Sequence, residues 1–292
     1  MPELPDLEYI QPRLKAALVG QTIRSVIIKE PILIRNLTGE TSESVLLNRT
    51  FQNIERVGPF IDFQLDGMRC VVHCMLAGRF ELSPIESELQ LKSQSKPNGN
   101  KYRAAVQFQC DSNVLSYSDS KKMGKIYLAP EDESRLAQIP GFRNQGIGIL
   151  SDAFDLQTFI SLLKKERRQV RVFLMDQTKL SAIGNAYADE ILFDAGLHPK
   201  TMCTQLNDSD KERLYHSIGA VIERGIRAVA DAGRDISAKV RDHMLVRNRL
   251  HAPCPRCQTP IRRANVRGVD AFFCPTCQPE TRKGFIDWNK KL

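Results

Sequence analysis

Four cysteines near the C-terminus constrain the fold of this 292-residue chain more than any other feature. Cys254 and Cys257 form one Cys-x-x-Cys pair, Cys274 and Cys277 form a second, and sixteen residues separate the two pairs. At this spacing each pair folds a tight knuckle, and two knuckles complete a tetrahedral shell of thiolates around one Zn²⁺. Four thiolates leave no position for water, so we predict a structural ion and not a catalytic one. A pair of disulfides or an accidental spacing is the alternative.

The remaining cysteines indicate a reducing compartment. They lie singly among apolar or strand-like neighbours, and the N-terminus has neither the basic start nor the apolar stretch of a signal peptide. We therefore expect reduced core thiols in a cytoplasmic protein, nucleoid-associated if the source is bacterial. No run of about 18 apolar residues occurs, which argues against a membrane span. These cysteines are Cys70, Cys74, Cys110 and Cys203.

The net charge of the chain is concentrated in its last third. The whole chain has 42 Lys and Arg against 34 Asp and Glu, a net charge of +8. Residues 200–292 contain 18 basic and 10 acidic side chains, so residues 1–199 are neutral overall. A one-sided positive field attracts a polyanion, either nucleic acid or an acidic membrane surface. A solvated basic surface without a partner is the other interpretation of the charge alone.

The first half of the chain has a helix followed by β-rich sequence. Apolar side chains recur at helical spacing within residues 1–19, at Leu7, Ile10, Leu14 and Leu18. From about residue 22 to residue 128, short β-rich runs alternate with glycines and with the polar stretch 83–100. Such a series is typical of an antiparallel sandwich or barrel. The clearest runs are 23–28, 61–65, 70–73 and 105–108.

The second half is helical. Residues 131–150 contain Pro140 and three glycines, which predicts a linker. Helical apolar patterns follow from residue 151 to about residue 239, and Gly184-Asn185 marks the start of one helix. The N–H groups at a helix start can bind a phosphate with help from the helix dipole. An ordinary turn is the alternative for a Gly-Asn pair.

The N-terminal Pro-Glu, the Gly-Asn helix start and the four-cysteine ribbon occur in this order along the chain. In these three features and in their order the chain resembles the formamidopyrimidine-DNA glycosylases, which are bifunctional base-excision repair enzymes. The resemblance covers essentially the whole chain. Its motifs are Met1-Pro2-Glu3-Leu4-Pro5, the blocks 175–177 and 183–190, Ala195-Gly196-Leu197-His198-Pro199, and Cys274-Pro275-Thr276-Cys277-Gln278. It implies an α+β fold with an N-terminal two-layer antiparallel β-sandwich and flanking helices, a C-terminal helix–two-turn–helix domain and a four-cysteine zinc ribbon.

The resemblance also implies a domain order. We expect a catalytic β-sandwich domain at 1–130, the linker at 131–150 and the helix–two-turn–helix domain at 151–249. A zinc-ribbon hairpin at 250–280 and a basic tail at 281–292 complete the chain. The implied partner is double-stranded DNA with a damaged base or an abasic site, bound by a monomer.

The implied catalytic residues are Pro2 and Glu3. Removal of Met1 exposes the secondary amine of Pro2, and an α-amine with a pKa of about 8 is partly neutral near pH 7. This amine can attack C1′ of the damaged nucleotide and form an iminium, after which β-elimination cuts the strand. Glu3 is placed to move protons at the sugar. An ordinary N-terminal turn is the alternative for the Pro-Glu pair alone.

In the resembled family a phosphate clamp kinks the DNA and the damaged base leaves the stack. His73 and Asn185 match two clamp residues, although a packed strand histidine and a helix N-cap are the simpler interpretations. Leu76 stands where the family has an intercalating methionine, and it is a similar apolar wedge. Lys121 stands where the family has an arginine that pairs with the base opposite the lesion, and Met123 stands where the family has an aromatic wedge. Because lysine is a point charge and does not bind a base edge bidentately, we expect relaxed opposite-base selectivity.

Other positions depart from the family pattern. Pro59 stands where the family has a phosphate-binding lysine, and Val269 stands where the family has an arginine in the zinc ribbon. Arg267, two residues earlier, would share a strand face with Val269 and could substitute for that arginine. Arg247 adds charge where the family has a clamp tyrosine. The glycine-rich loop over an oxidised purine is not recognisable in 228–241, so oxidised purines are the expected lesion class by resemblance only.

Two further hypotheses compete with the enzyme. The first is a catalytically weak or inactive relative that binds damaged or bent DNA, motivated by Pro59 and Val269. The second is an ordinary zinc-ribbon binder of nucleic acid, which leaves the Pro2-Glu3 start unexplained.

Overall fold

The structure is a computed structural model that describes residues 2–85 and 104–280. The chain divides into two compact units. Unit 1 consists of residues 1–145 and 225–241, and unit 2 consists of residues 146–224 and 242–292. The basic tail expected at 281–292 lies outside the described residues, as does most of the polar stretch 83–100, from residue 86 onward.

Unit 1 is built on two β-sheets. Its described strands are β1 (Ile23–Ile28), β2 (Ile34–Asn36), β3 (Phe51–Val57), β4 (Phe60–Leu65), β5 (Met68–His73), β6 (Arg79–Pro84), β7 (Val106–Cys110), β8 (Asn113–Ser118) and β9 (Lys125–Pro130). One sheet has the order β1-β7-β8-β6, and the other has the order β2-β9-β5-β4-β3. The pairing of β2 with β9 is parallel, and the other pairings in these two sheets are antiparallel. The sequence had left a sandwich or a barrel open, and two open sheets identify a sandwich.

Three α-helices lie beside these sheets among the residues that the structure describes up to 145: α1 (Leu4–Leu18), α2 (Ser42–Leu46) and α3 (Glu133–Leu136). Helix α1 packs against β3 and buries Leu7, Leu14 and Leu18 completely. It begins at Leu4 with Glu3 as the N-cap residue. Pro5 is tolerated in the first turn because a backbone N–H at that position has no partner within the helix.

Aromatic rings fill the interior of unit 1. Phe63 contacts both Phe51 and Phe80 edge-to-face at 5.9 and 5.8 Å, and Phe80 contacts Tyr117 at 5.5 Å. Such edge-to-face pairs add about 0.5–1.5 kcal/mol each to the burial of their area. The rings thus fix the strands β4, β6 and β8, beside which several of the candidate site residues lie.

The segment after β9 is also packed in unit 1. Leu136, Ile139 and Phe142 are buried in one cluster with Phe60 and Val71. This segment lies within the range 131–150 that its proline and glycine content marks as a linker.

Unit 2 contains four helices and one hairpin among its described residues. They are α4 (Leu156–Lys164), α5 (Val170–Leu174), α6 (Asn185–Asp194), α7 (Asp208–Asp231), β10 (Arg262–Val266) and β11 (Val269–Phe273). Helix α7 extends beyond unit 2, since residues from 225 onward belong to unit 1. Phe193 of α6 shares a buried cluster with Cys254 and Cys274, so the ribbon cysteines are part of this unit's core.

The described elements agree with the α+β class predicted from the sequence. The strand runs at 23–28, 61–65, 70–73 and 105–108 all fall in or directly at strands, and Gly184 caps α6, which starts at Asn185. Within residues 2–85 and 104–280, none of the helices combines the length and apolar character that a membrane span requires.

Candidate active site and nucleic-acid interface

Pro2 and Glu3 are buried at the start of α1. The backbone N–H of Glu3 donates a hydrogen bond of 2.8 Å to Oδ2 of Asp6, which holds the chain before the helix in one direction. Pro2 lines a small pocket with Asp6, Gly78 and Arg79. The two candidate catalytic residues are therefore adjacent, fixed by local hydrogen bonding and next to the turn that follows β5.

His73 is the last residue of β5, and Leu76 lies in the turn that follows this strand. The imidazole Nδ1 of His73 accepts a 3.0 Å hydrogen bond from the backbone N–H of Met75, and its ring lies edge-on against Phe60 at 4.7 Å. Because Nδ1 is the acceptor, the proton of the neutral ring is on Nε2, which can donate to a phosphate oxygen. Met75 has φ of 47°, an unusual conformation for a residue with a long side chain.

Burial lowers the pKa of His73 to about 4. Unfolded His73 has a pKa near 6.5 and binds a proton at higher pH than the folded form does. The free energy of unfolding must therefore fall as pH drops from above 6.5 towards 4. We expect wild-type protein to lose more stability between pH 7.5 and pH 5.0 than His73→Gln, measured by chemical denaturation. Equal losses in the two proteins would contradict the neutral, buried state of His73.

The two candidate wedges are exposed. Leu76 is 49% exposed and Met123 is 41% exposed, values that are high for side chains of this size and polarity. An exposed apolar side chain on a loop is suited to insertion between bases. The structure thus places both wedges at the surface of unit 1, as insertion requires.

The loop that carries Lys121 and Met123 is held by a buried carboxylate. Asp119 accepts hydrogen bonds from the backbone N–H groups of Lys121, at 2.9 Å, and Gly124, at 2.6 Å. Lys121 is exposed, and its neighbour Lys122 forms an ion pair of 2.8 Å with Glu30. Lys121 is therefore the more accessible of the two lysines for a base or a phosphate.

Both wedge loops end in a glycine that lies against one buried phenol. A Cβ atom on Gly78 or on Gly124 would overlap the hydroxyl oxygen of Tyr117, which is 2% exposed. Any larger residue would push that loop away from Tyr117. These two glycines are therefore required by packing, and the sequence alone does not reveal their common neighbour.

Pro59 occupies the turn between β3 and β4 and is buried. Gly58 before it has φ of 58°, as this two-residue turn demands. A buried proline side chain offers no charge and no donor, so the structure gives no replacement for the family's lysine at this position.

In unit 2, Asn185 is the first residue of α6. Its Oδ1 accepts a 2.9 Å hydrogen bond from the guanidinium of Arg171, so the Nδ2 group is directed away from that arginine. The amide donor and the start of the helix can then act together on one phosphate. Sequence reasoning identified Asn185 and missed Arg171, whose charge alone indicates no partner.

Arg247 is engaged within unit 2. Its guanidinium bonds Oδ2 of Asp189 at 2.7 Å and the backbone oxygen of Asp270 at 3.0 Å, and it lies over the ring of Phe272. Arg171 binds the other oxygen of the same fully buried Asp189 at 2.8 Å. One carboxylate thus links both arginines to β11. Contact of Arg247 with DNA stays a prediction. The guanidinium that would make this contact already donates hydrogen bonds to Asp189 and Asp270.

The inferred position of Arg267 on a strand is wrong. Arg267 is the first residue of the two-residue turn between β10 and β11, with φ of 49°, and Val266 pairs directly with Val269. A turn residue does not share a strand face with Val269, so the argument from alternation fails. Arg267 is exposed at the tip of the hairpin, and its contact with DNA stays a prediction on that ground.

The four ribbon cysteines meet at one point. Their Sγ atoms all lie within 4.8 Å of one another, and three of the separations are 3.4, 3.5 and 3.8 Å. Zn–S bonds of about 2.3 Å in a tetrahedron require sulfurs roughly 3.8 Å apart, so this set fits a tetrahedral ion. The backbone N–H groups of Arg256 and Cys277 point at Cys254 and Cys274 respectively, each at 3.4 Å from the sulfur. Such donors stabilise thiolates in a knuckle.

These features, a β-sandwich with a fixed Pro-Glu start and a helical unit with a four-cysteine ribbon, are those of a DNA glycosylase. Comparison with known families supports this class. Residues 1–126 match the formamidopyrimidine-DNA glycosylase N-terminal domain, and residues 146–236 match the H2TH domain of the same family. The chain belongs to the formamidopyrimidine-DNA glycosylase family, and it is accordingly a base-excision repair DNA glycosylase and AP lyase.

Individual relatives agree over nearly the full length. The formamidopyrimidine-DNA glycosylase of Heliobacterium modesticaldum is 32% identical over 95% of this chain and 100% of its own, and that of Desulforamulus reducens is 30% identical over 95% and 99%. Among solved structures, Lactococcus lactis Fpg in complex with abasic-site DNA has a TM-score of 0.81 at 26% identity, covering 95% of this chain and all of that one. MutM (Fpg) from Thermus thermophilus has a TM-score of 0.78 at 27% identity, covering 96% and 100%.

Proposed function

We propose that Pro2 is the nucleophile of this enzyme and Glu3 its proton-transfer group. The observation that carries the proposal is the buried, hydrogen-bonded start of α1, where Pro2 lines a pocket beside the turn that carries Leu76. A nucleophile must be held in one geometry against C1′ of the sugar, and a fixed helix start provides that.

The reaction can be written with the residues present. The neutral amine of Pro2 forms a bond to C1′, the bond from C1′ to the damaged base breaks, and the base leaves with a proton. Ring opening gives a cationic iminium between Pro2 and C1′, with Glu3 supplying the proton to the ring oxygen. The carboxylate of Glu3 then takes a proton from C2′, and the electron pair left at C2′ expels the phosphate oxygen from C3′. Water finally releases the sugar from Pro2.

We assign DNA-binding roles to residues from the exposure of their side chains and from the hydrogen-bond donors they carry. His73 and Asn185 donate to phosphates, Leu76 and Met123 fill the space that the extruded nucleotide leaves, and Lys121 faces the opposite base. Arg267 and Arg247 supply positive charge near the ribbon. We propose oxidised purines as the lesion class by resemblance to the family, because Pro2 and Glu3 are in place. The departures at Pro59 and Val269 concern DNA recognition and not the bond chemistry.

We further propose that the four cysteines hold one Zn²⁺. The four thiolates would form a closed tetrahedral shell around the ion, and the ion would thereby fix the two knuckles and with them the hairpin β10–β11. Cys254 and Cys274 also pack against Phe193 and Val246, so the metal would complete the core of this unit.

Borohydride trapping on a duplex with a single abasic site tests the enzymatic proposal. We expect a covalent protein–DNA adduct from the wild-type protein, and a strong loss of adduct from Pro2→Gly, which removes the secondary amine. No adduct from either protein, with intact binding of the duplex, would favour a damage-binding relative that does not cut.

A further inference from the structure

Residues 234–241, which follow α7, form a strap bound to the start of α1 and to the turn after β5, all within unit 1. Four contacts between described residues hold the strap, and each joins residues more than 150 positions apart in sequence. They are Tyr9 Oη to the oxygen of Arg234 at 2.7 Å, Arg79 to the oxygen of Ser237 at 2.9 Å, Lys239 Nζ to the oxygen of Leu76 at 3.0 Å, and Arg241 to Asp6.

The contact of Arg241 with Asp6 is the strongest of the four. Its two terminal nitrogens bind the two carboxylate oxygens at 2.8 and 2.6 Å, in the paired geometry that favours arginine over lysine. Asp6 is 5% exposed, and its Oδ2 also accepts the N–H of Glu3. A buried carboxylate without its arginine would be left uncompensated.

The position of this ion pair matters because of its distance from Pro2. The nitrogen of Pro2 is at most about 3.6 Å from the nitrogen of Glu3, since three backbone bonds of fixed length join them. Oδ2 of Asp6 is 2.8 Å from the nitrogen of Glu3, so its charge lies within roughly 6.5 Å of the Pro2 amine. A negative charge at such a distance holds an amine in its protonated form, which is not nucleophilic.

We propose that Arg241 is a positioning residue for the Pro2–Glu3 site, acting through Asp6. It fixes the carboxylate that orients the main chain of Glu3, and it cancels the charge that would otherwise keep the amine of Pro2 protonated. The proposal rests on the proposed function, since it assumes that Pro2 is the nucleophile. Through this contact the strap, which is the last segment of unit 1, is bound to the segment that carries Pro2 and Glu3.

Other charged and titratable groups around Pro2 stay the same when Arg241 is replaced. They come from the start of α1, the end of β5, β6 and the strap, and they are Glu3, Asp6, His73, Cys74, Arg79 and Lys239. Replacing Arg241 therefore isolates the effect of an uncompensated Asp6.

The test is single-turnover borohydride trapping on an abasic-site duplex as a function of pH, with the dissociation constant measured on a duplex carrying an uncleavable tetrahydrofuran abasic analogue. For Arg241→Met we expect the trapping rate at pH 7 to fall about tenfold or more, the rate profile to move to higher pH, and the dissociation constant to stay within about twofold. Arg241→Lys, which keeps the charge, should recover part of the rate.

Two further variants control for folding. Arg56→Met breaks an ion pair of 2.6 Å to Glu8, which lies on α1 as Asp6 does. This variant should leave the trapping rate and its pH profile unchanged. The double variant Asp6→Asn/Arg241→Met removes both charges, while the amide oxygen of the new side chain can still accept the N–H of Glu3. Its pH profile should return towards wild type.

The proposal is overturned if Arg241→Met traps at the wild-type rate, if its pH profile does not move, or if the double variant keeps the shifted profile. An equal loss in Arg56→Met would likewise reduce Arg241 to a general stabilising role. If the wild-type protein forms no adduct at any pH, the proposed function itself fails, and that result is distinct from all of these.

Discussion

Replacing Glu3 with glutamine will slow base excision by orders of magnitude and leave DNA binding intact. The substitution keeps the size of the side chain and the backbone N–H that donates to Asp6, so the start of α1 keeps its geometry. It removes the carboxylate that gives and takes a proton beside Pro2. General acid–base catalysis contributes typically about 10²–10⁴-fold, and we expect excision of an oxidised purine to slow by that factor.

Excision and binding need to be measured on the same preparations. The matched control is Glu8→Gln, because Glu8 is a second glutamate at the N-terminal end of the chain, on α1. It is about one-third exposed, and its ion-pair partner is Arg56. This variant should excise at the wild-type rate. Unchanged turnover in Glu3→Gln would reject the proton-transfer role, and a parallel loss of DNA affinity would show that the variant is misfolded at the helix start.

Loss of the proposed Zn²⁺ has the second large expected effect. Cys254→Ser, or removal of zinc with a chelator, should unfold the hairpin β10–β11, because Cys254 and Cys274 belong to the buried cluster with Phe193 and Val246. Structural zinc sites contribute about 10–16 kcal/mol of apparent binding free energy at pH 7, more than a small hairpin can replace. With the hairpin lost, Arg267 and its neighbours no longer present a basic surface, and we expect DNA affinity to fall at least tenfold.

Three quantities check this expectation: zinc content per chain, the dissociation constant for an abasic-site duplex and the melting curve. Wild-type protein should contain one zinc per chain and Cys254→Ser essentially none. Cys203→Ala serves as the control, since Cys203 is a buried thiol of the same unit outside the four-cysteine cluster. Full affinity after complete removal of zinc would contradict the placement of the ribbon in the DNA-binding surface.

Features that depend on nearby residues were predictable from the sequence. The cysteine pairs indicate the metal site because each knuckle needs ligands only three positions apart. The helix start at Gly184 and Asn185 and the amphipathic helix α1 are equally local signals. The Pro2-Glu3 start acquires meaning only beside the other motifs, since a Pro-Glu dipeptide has no structural signature of its own.

Features that join distant residues were not predictable. Arg241 lies 235 positions from Asp6, and nothing in either residue type indicates the other. Arg247 was interpreted as a clamp residue because it stands where the family has a clamp tyrosine, whereas the buried Asp189 that binds it is visible only in the fold. Arg267 was assigned to a strand because the two-residue turn that contains it has no asparagine or aspartate to mark it.

The identity of the atom that bonds to DNA tests the central claim most directly. Wild-type protein trapped with borohydride on an abasic-site duplex can be digested with trypsin and nuclease, and the modified peptide sequenced by mass spectrometry. The account predicts that the sugar remnant is attached to the nitrogen of Pro2, in the peptide of residues 2–13 that lacks Met1. A remnant on a lysine elsewhere in the chain, or an N-terminal peptide that still begins with Met1, would contradict it.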